Sequence, residues 1–411
     1  MNQEAIRKYA RFAVRMGSAV QPGETLIINA PIHTAAFARL CAEEAYAAGA
    51  REVVVHYSDE QISRLRMAHA AEEALDEAKP WIQDSYTSYM KHPSGACMLS
   101  ISSADPEIYK GIDASRIDRA SRARAMAMTE YYKYVMSNQA KWTIVAIPSP
   151  SWSAKVFPDL PVEEAEEKLW EAIFSVCRID ENDPVENWQA PLHTMHSRAE
   201  WLNSLQLDAL HITSANGTDL TIGLPKNHIW AGGSEFSPKG VEFLANIPTE
   251  EVFTAPDARR TEGIVYSTKP YVFNGSLIEN FWVRFENGRV VEYHAEKRED
   301  LLGMLVSMDE GAARLGEIAL VPATSPINRS GILFYNTLFD ENASCHIAFG
   351  KAYPICVQGG NDMTDAEKEA AGINLSNTHQ DVMVGAEDTN IDGITADGRI
   401  IPVFRGGVWA E

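Results

Sequence analysis

The sequence predicts an α/β N-terminal domain with a mostly parallel sheet, followed by a β-rich α+β C-terminal domain. Three observations carry this. Over the first 180 or so residues, short apolar β-branched runs alternate with helix-patterned stretches, the grammar of βαβ units. From Ala209 onward, short runs flank Asn-Gly and Asp-Gly pairs, the strongest short-range hairpin signal. At roughly 100–200 residues per domain, 411 residues suggest two domains or three.

Met1 to Gly17 reads as an amphipathic helix carrying Arg7, Lys8, Arg11 and Arg15. It holds no continuous apolar stretch followed by a small-residue cleavage site, so a secretion signal is not expected there. Thr25 to Asn29 (TLIIN) is a strand, His33 to Ala48 an Ala-rich helix ended by Gly49, and Glu52 to His56 (EVVVH) a second strand. Such a unit implies a parallel pair with a right-handed crossover. Helices follow at about Glu60 to Ala78, Ser115 to Met136 and Val162 to Cys177, with strands at Ala96 to Ile101 and Trp142 to Ile147.

Pro148, Pro150, Pro158 and Pro161 punctuate a connection inside the first domain. The boundary falls instead near Asp183 to Leu205, a helix with Trp188, His193, His196 and Trp201. Domains of 1–190 and 191–411 are therefore expected. In the second, His211 to Ser214 and Leu220 to Ile222 flank Asn216-Gly217. Phe281 to Phe285 and Val290 to His294 flank Asn287-Gly288, and Asp397-Gly398 repeats the device.

Composition narrows the function classes. With 45% hydrophobic residues the chain has material for a core, which argues against disorder. Apolar runs such as Thr143 to Ile147 are far shorter than the roughly 18–20 residues of a spanning helix, so no membrane partner is expected. The 36 basic and 57 acidic residues give a net charge of −21. That surface repels a phosphate backbone, so no nucleic-acid partner is expected either. Five widely spaced cysteines without a CxxC pair fit reduced thiols of the cytoplasm.

GxGxxG, Walker, GxSxG and HExxH motifs are all missing, which removes the common nucleotide, serine-hydrolase and helical zinc-protease signatures. Four segments of the second half are instead rich in metal-ligating residue types. Asn246 to Asp257 (NIPTEEVFTAPD) holds the pair Glu250-Glu251. In an extended chain adjacent side chains face opposite ways, so one of the two can face a given site, and alternation does not choose between them. Glu317 opens an apolar, strand-like run, where an unpaired charge is costly. Asp340 to Gly350 and Tyr353 bring carboxylates, Asn342, His346 and a phenol within fourteen residues. His379 and Asp381 form an HxD pair; on a strand both share a face and suit zinc, cobalt or manganese.

Together Glu251, Glu317, Glu341, His346, His379 and Asp381 offer four carboxylates and two imidazoles. That inventory matches a hydrolase with paired divalent cations about 3.5–4 Å apart. Without cations the carboxylates would repel one another.

At these residues the chain resembles a known family. NIPTEEVFTAPD, TLFDENASCHIAFGKAYP (Thr337 to Pro354) and His379-x-Asp381 are similar to the aminopeptidase T, aminopeptidase S and aminopeptidase II family, over nearly the whole chain. The resemblance implies a cytoplasmic homodimer with a C-terminal catalytic domain that releases N-terminal residues from peptides with a free N-terminus. It implies two divalent ions, zinc or cobalt, with manganese and magnesium as further options. Carried over by residue, it places metal ligands at Glu251, Glu317, His346, His379 and Asp381, with Glu341 in addition. It makes Glu317 the bridging carboxylate and Tyr353 a catalytic partner for the carbonyl or oxyanion. Glu250 is a candidate general base if the backbone turns it inward. Two alternatives stand beside this reading: a metal-dependent amidohydrolase of non-peptide amides, and a non-catalytic binding protein that retains the motif.

Overall fold

The computed structural model describes residues 2–273 and 276–410. They fall into two compact units. One gathers the residues up to Ala190 with Ser234–Thr249; the other includes Pro191–Gly233, Glu250–Phe273 and the residues from Leu277 onward. Ala190 and Pro191 both lie in one helix, Pro184–Leu205.

The first unit is built on a four-stranded parallel sheet of β1 (Thr25–Pro31), β2 (Glu52–Ser58), β3 (Ala96–Ser102) and β4 (Trp142–Ala146). Their order is β2-β1-β3-β4, with Thr25 beside Glu52 on one side and Ala96 on the other. The central strands are buried on both faces, with Leu26, Ile27, Ile28 and Leu99 fully enclosed. A parallel strand covered on two sides reads as an unbroken apolar run, which is why TLIIN was legible.

The helices depart from the sequence expectation in several places, one being the helix Pro150–Val156 inside the proline-punctuated connection. The stretch expected as Glu60 to Ala78 forms two helices, Glu60–His69 and Glu72–Asp76. Arg116 explains the break: its guanidinium donates to Met67 O at 2.6 Å and also to Ala70 O. Carbonyls that a continuous helix would give to its own N–H groups are thereby satisfied from outside. Ser115 to Met136 likewise divides at Met128 into Ala114–Ala127 and Thr129–Met136. There Gln83 Oε1 accepts from Glu130 N at 2.6 Å. A further helix, Pro80–Met90, lacks strong apolar periodicity but packs Tyr86 and Met90 beside Ile27 and Met98.

In the second unit, Ala209–Thr213 and Asp219–Gly223 form the hairpin around Asn216-Gly217, with Thr213 paired to Asp219. Ser276–Glu286 and Arg289–Lys297 form the one around Asn287-Gly288. Both belong to a nine-stranded sheet, as do Asn390–Ile394 and Ile400–Arg405 around Asp397-Gly398.

A separate five-stranded sheet carries the residues of interest. Its strands are β5 (Ala231–Gly232), β6 (Val252–Thr254), β7 (Leu315–Leu320), β8 (His346–Gly350) and β9 (His379–Met383), in the order β9-β8-β7-β6-β5. All neighbours are antiparallel. Every residue of β7 and β8 is buried. All five cysteines are buried thiols. Among the described residues, no helix is long and apolar enough to cross a membrane.

Candidate metal centre

The register of the five-stranded sheet places its polar residues on one face. Ala348 of β8 pairs with Glu317 on one side and Asp381 on the other. Directly opposed residues share a face, and so do residues two apart along a strand. His346 therefore joins Ala348's face, and His379 joins that of Asp381. Ala319 pairs with both His346 and Phe253, and Glu251 lies two residues before Phe253. That parity, which local alternation left open, turns Glu251 rather than Glu250 toward the others. The register shifts between Leu315 and Glu317; such a bulge re-aims a side chain.

Two groups result: Glu251, Glu317 and His346, then Glu317, His379 and Asp381. Within each, one ligand atom per residue lies within 4.8 Å of the others. His346 Nε2 is 3.0 Å from Glu251 Oε2 and 3.5 Å from Glu317 Oε1. His379 Nε2 is 3.7 Å from Glu317 Oε2 and 3.2 Å from Asp381 Oδ1. Glu317 thus presents one oxygen to each group. It is 4% exposed, Glu251 8% and His346 1%.

The imidazoles are oriented by main-chain carbonyls. His379 Nδ1 donates to Lys351 O at 2.6 Å, and His346 Nδ1 faces Ser344 O at 3.3 Å. A carbonyl oxygen only accepts, so Nδ1 carries the hydrogen and Nε2 of a neutral ring presents a lone pair. Those lone pairs point at carboxylate oxygens. Glu251 Oε2 and Asp381 Oδ1 are buried and meet no hydrogen-bond donor of acceptable geometry. Lone pair facing lone pair is relieved by a proton or by a cation between them. The donor set, imidazole nitrogen with carboxylate oxygen, suits zinc and its neighbours. The residues present therefore fit divalent cations.

The protonation of the protein alone expresses the same demand for positive charge. Burial, with help from Glu251 and Asp381, pushes Glu317 up to about 7 against the opposing pull of both histidines. Burial pulls His379 down, but Asp381 and Glu317 outweigh it and raise the ring to about 10. His346 is likewise held well above its ordinary range by Glu251 and Glu317, despite its burial. Burial would raise Asp381, yet His379 keeps it below the usual carboxylate range. These histidines hold protons where a metal would hold charge.

The remaining sequence candidates lie around the two groups. Glu341 is buried and held well above its ordinary range, first by burial and then by Asp381 and Glu251. It senses the cluster but belongs to neither close group. Glu250 also stands outside both; its N–H donates to Asn342 Oδ1 at 2.7 Å. The Tyr353 ring stands edge-on to His379 with centroids 5.1 Å apart.

Tyr271 and Gln380 escaped the sequence reading, and Asn342 was noted there without a role. Asn342 is fully buried and bonds Leu338 O at 3.1 Å and Glu341 Oε1 at 3.4 Å, besides holding Glu250 N. Its place between two carboxylates and a histidine was the available signal. Tyr271 donates its hydroxyl to Gln380, which lies between His379 and Asp381. Nothing local marked Tyr271, because it reaches this strand across 109 positions of sequence.

Known proteins are similar to this chain over nearly all of its length. Aminopeptidase AmpS of Bacillus subtilis is 45% identical over 407 residues, covering 99% of this chain and 98% of that one. Aminopeptidase T of Thermus thermophilus is 41% identical over 404 residues, covering 98% of each. The solved structure of wild-type AmpT from Thermus thermophilus superposes with a TM-score of 0.92 at 40% identity, covering all of both chains. Residues 2–409 match the family described as thermophilic metalloprotease (M29), and the chain belongs to that family.

Proposed function

We propose that this protein is a metallo-aminopeptidase that hydrolyses the N-terminal peptide bond of peptides with the help of two divalent cations, zinc or cobalt. The observation that carries the proposal is Glu317, whose two oxygens face two separate imidazole–carboxylate groups. Names of relatives support the reaction class: AmpS, PepS and aminopeptidase T are all aminopeptidases. The same kinship supports a cytoplasmic homodimer.

Glu251 and His346 would hold one cation, His379 and Asp381 the other, and Glu317 both. Bound divalent ions supply Lewis-acid polarisation of a carbonyl and a nucleophilic water at neutral pH. The chain's own groups do the rest. Lys351 O and Ser344 O keep Nε2 of each histidine turned inward. The buried carboxylates favour the substrate's positively charged free amine, which restricts cleavage to the first residue. Tyr353, beside His379, donates its phenol hydrogen to the oxygen of the scissile carbonyl, where charge develops. A carboxylate of the cluster takes the proton lost by the attacking water, since strand parity turns Glu250 to the other face. Glu341 adds negative charge to the surroundings of both groups.

Amino-acid arylamides and their N-acetylated counterparts test the reading. Turnover of the free amines alone, abolished by a chelator and restored by zinc or cobalt, is the expected result. Turnover of acetylated substrates would identify an amidohydrolase instead. A chain that retains no metal and cleaves neither would be a binding protein.

A further inference from the structure

A cavity of about 210 Å³ in the second unit is walled in part by residues next in the chain to His346. Its walls include Val321, Ser344 and Cys345. Ser344 and Cys345 immediately precede His346, and Val321 follows Leu320, the partner of Val252 beside Glu251. Cys345 ties these walls together, with its Sγ 3.4 Å from both Val321 N and Val321 O.

The cavity is also lined by Lys269, which is half-buried. Among the described residues, Lys269 forms no ion pair or hydrogen bond through its ammonium group. Such a cation is unusual in a chain with 57 acidic residues against 36 basic ones. The acid that feels its charge is Asp340. Asp340 is already engaged: its oxygens accept from Phe334 N at 2.9 Å and Asn336 N at 3.0 Å. Glu387, also on the wall, is exposed and makes no ion pair with Lys269. Asn328 adds a second polar side chain, its amide turned to Ala323 O at 2.8 Å.

We infer that this cavity is a carboxylate-binding subsite, with Lys269 as the residue that recognises a carboxylate on the C-terminal side of the scissile bond. The inference rests on the aminopeptidase reading above. A chain spans at most about 3.3–3.6 Å per residue. A peptide of two or three residues, its amine at the Glu251–His346 group, is therefore long enough to reach a cavity whose wall begins one residue from His346. A charge-assisted contact of this kind is roughly twice as strong as a neutral one. The carboxylate comes either from the C-terminus of a short peptide or from an acidic side chain at the second position.

Three substrates separate these sources: Leu-Gly-Gly, its C-terminal amide, and Leu-Asp amide, measured on the zinc- or cobalt-loaded enzyme with Lys269→Met and Lys269→Arg variants. The wild type is expected to favour the free acid over the amide by about tenfold in kcat/KM, expressed in KM. That ratio should fall to about one in Lys269→Met and be retained in Lys269→Arg. If the side chain is the source, Leu-Asp amide shows the preference and the loss in place of Leu-Gly-Gly. A wild-type ratio near one for both, or a ratio unchanged in Lys269→Met, overturns the subsite. Failure to cleave any of the three overturns the aminopeptidase reading itself, which arylamide turnover reports separately.

Discussion

At Glu317 a single carboxylate meets two imidazoles, one at each oxygen. His346 and Asp381 each serve one group, so replacing either should disable the pair without unfolding the sheet. His346→Ala is expected to lower kcat/KM by about a thousandfold, on the order of 4 kcal/mol, with an unchanged far-UV circular dichroism spectrum. Full activity with full metal content would contradict the assignment of His346. The protonation of the metal-free chain gives a second test. His379 is raised to about 10 when folded, against an ordinary value of about 6.5. Between those values the folded state holds a proton that the unfolded chain has released, so this stability is present below about pH 6.5 and lost as pH rises through 10. Glu317, raised to about 7, acts in the same sense from about 4.5 upward. Asp381 acts oppositely, only below the ordinary carboxylate range. Chelator-treated protein should therefore lose thermal stability between about pH 7 and pH 9, and added zinc should restore more at the higher pH. A rise in the midpoint over that interval would contradict the charge arrangement.

At the scale of elements, β8 and β9 determine whether two histidines and an aspartate meet. Gly350 closes β8 with φ +98, and a Cβ there would lie 2.2 Å from Thr378 O, next to His379. Gly350→Ala should cost about 2 kcal/mol or more, lowering the urea midpoint and the zinc content together. A variant with wild-type stability and metal content would show that this approach is not needed. Elements governed by local chemistry were legible in the sequence. The hairpins at Asn216-Gly217 and Asn287-Gly288 follow from turn residues that tolerate positive φ, and TLIIN from burial on both faces. Elements governed by distant contacts were not. The break after His69 comes from Arg116, and β5 is only two residues long. Sequence chemistry named the six ligand candidates, but the choice of Glu251 over Glu250 and the sharing of Glu317 rested on the family resemblance alone until β6, β7 and β8 were paired.

For the whole molecule, the net charge of −21 has two components. Most of it is solvated surface; a small part is the buried cluster of Glu251, Glu317, Glu341 and Asp381. Alternation of strand and helix signals revealed the parallel sheet, whereas the grouping of Ser234–Thr249 with the earlier residues depends on contacts such as Ile144 N to Ala245 O at 2.8 Å. Cations that bind only the folded chain stabilise it by about 2.7 kcal/mol per site at a hundredfold excess over Kd. Chelation should accordingly lower the thermal midpoint, and zinc or cobalt should restore it while magnesium at equal concentration restores less. Equal recovery with all three would indicate a non-selective effect of divalent charge. The central claim is that Glu317 joins two cation sites in one centre. Elemental analysis of metal per chain, for the wild type and for Glu317→Gln with arylamide turnover measured on the same samples, tests it most directly. Two ions per wild-type chain, with both ions and activity lost in the variant, is the predicted result; a Glu317→Gln chain that keeps two ions and full turnover would contradict it.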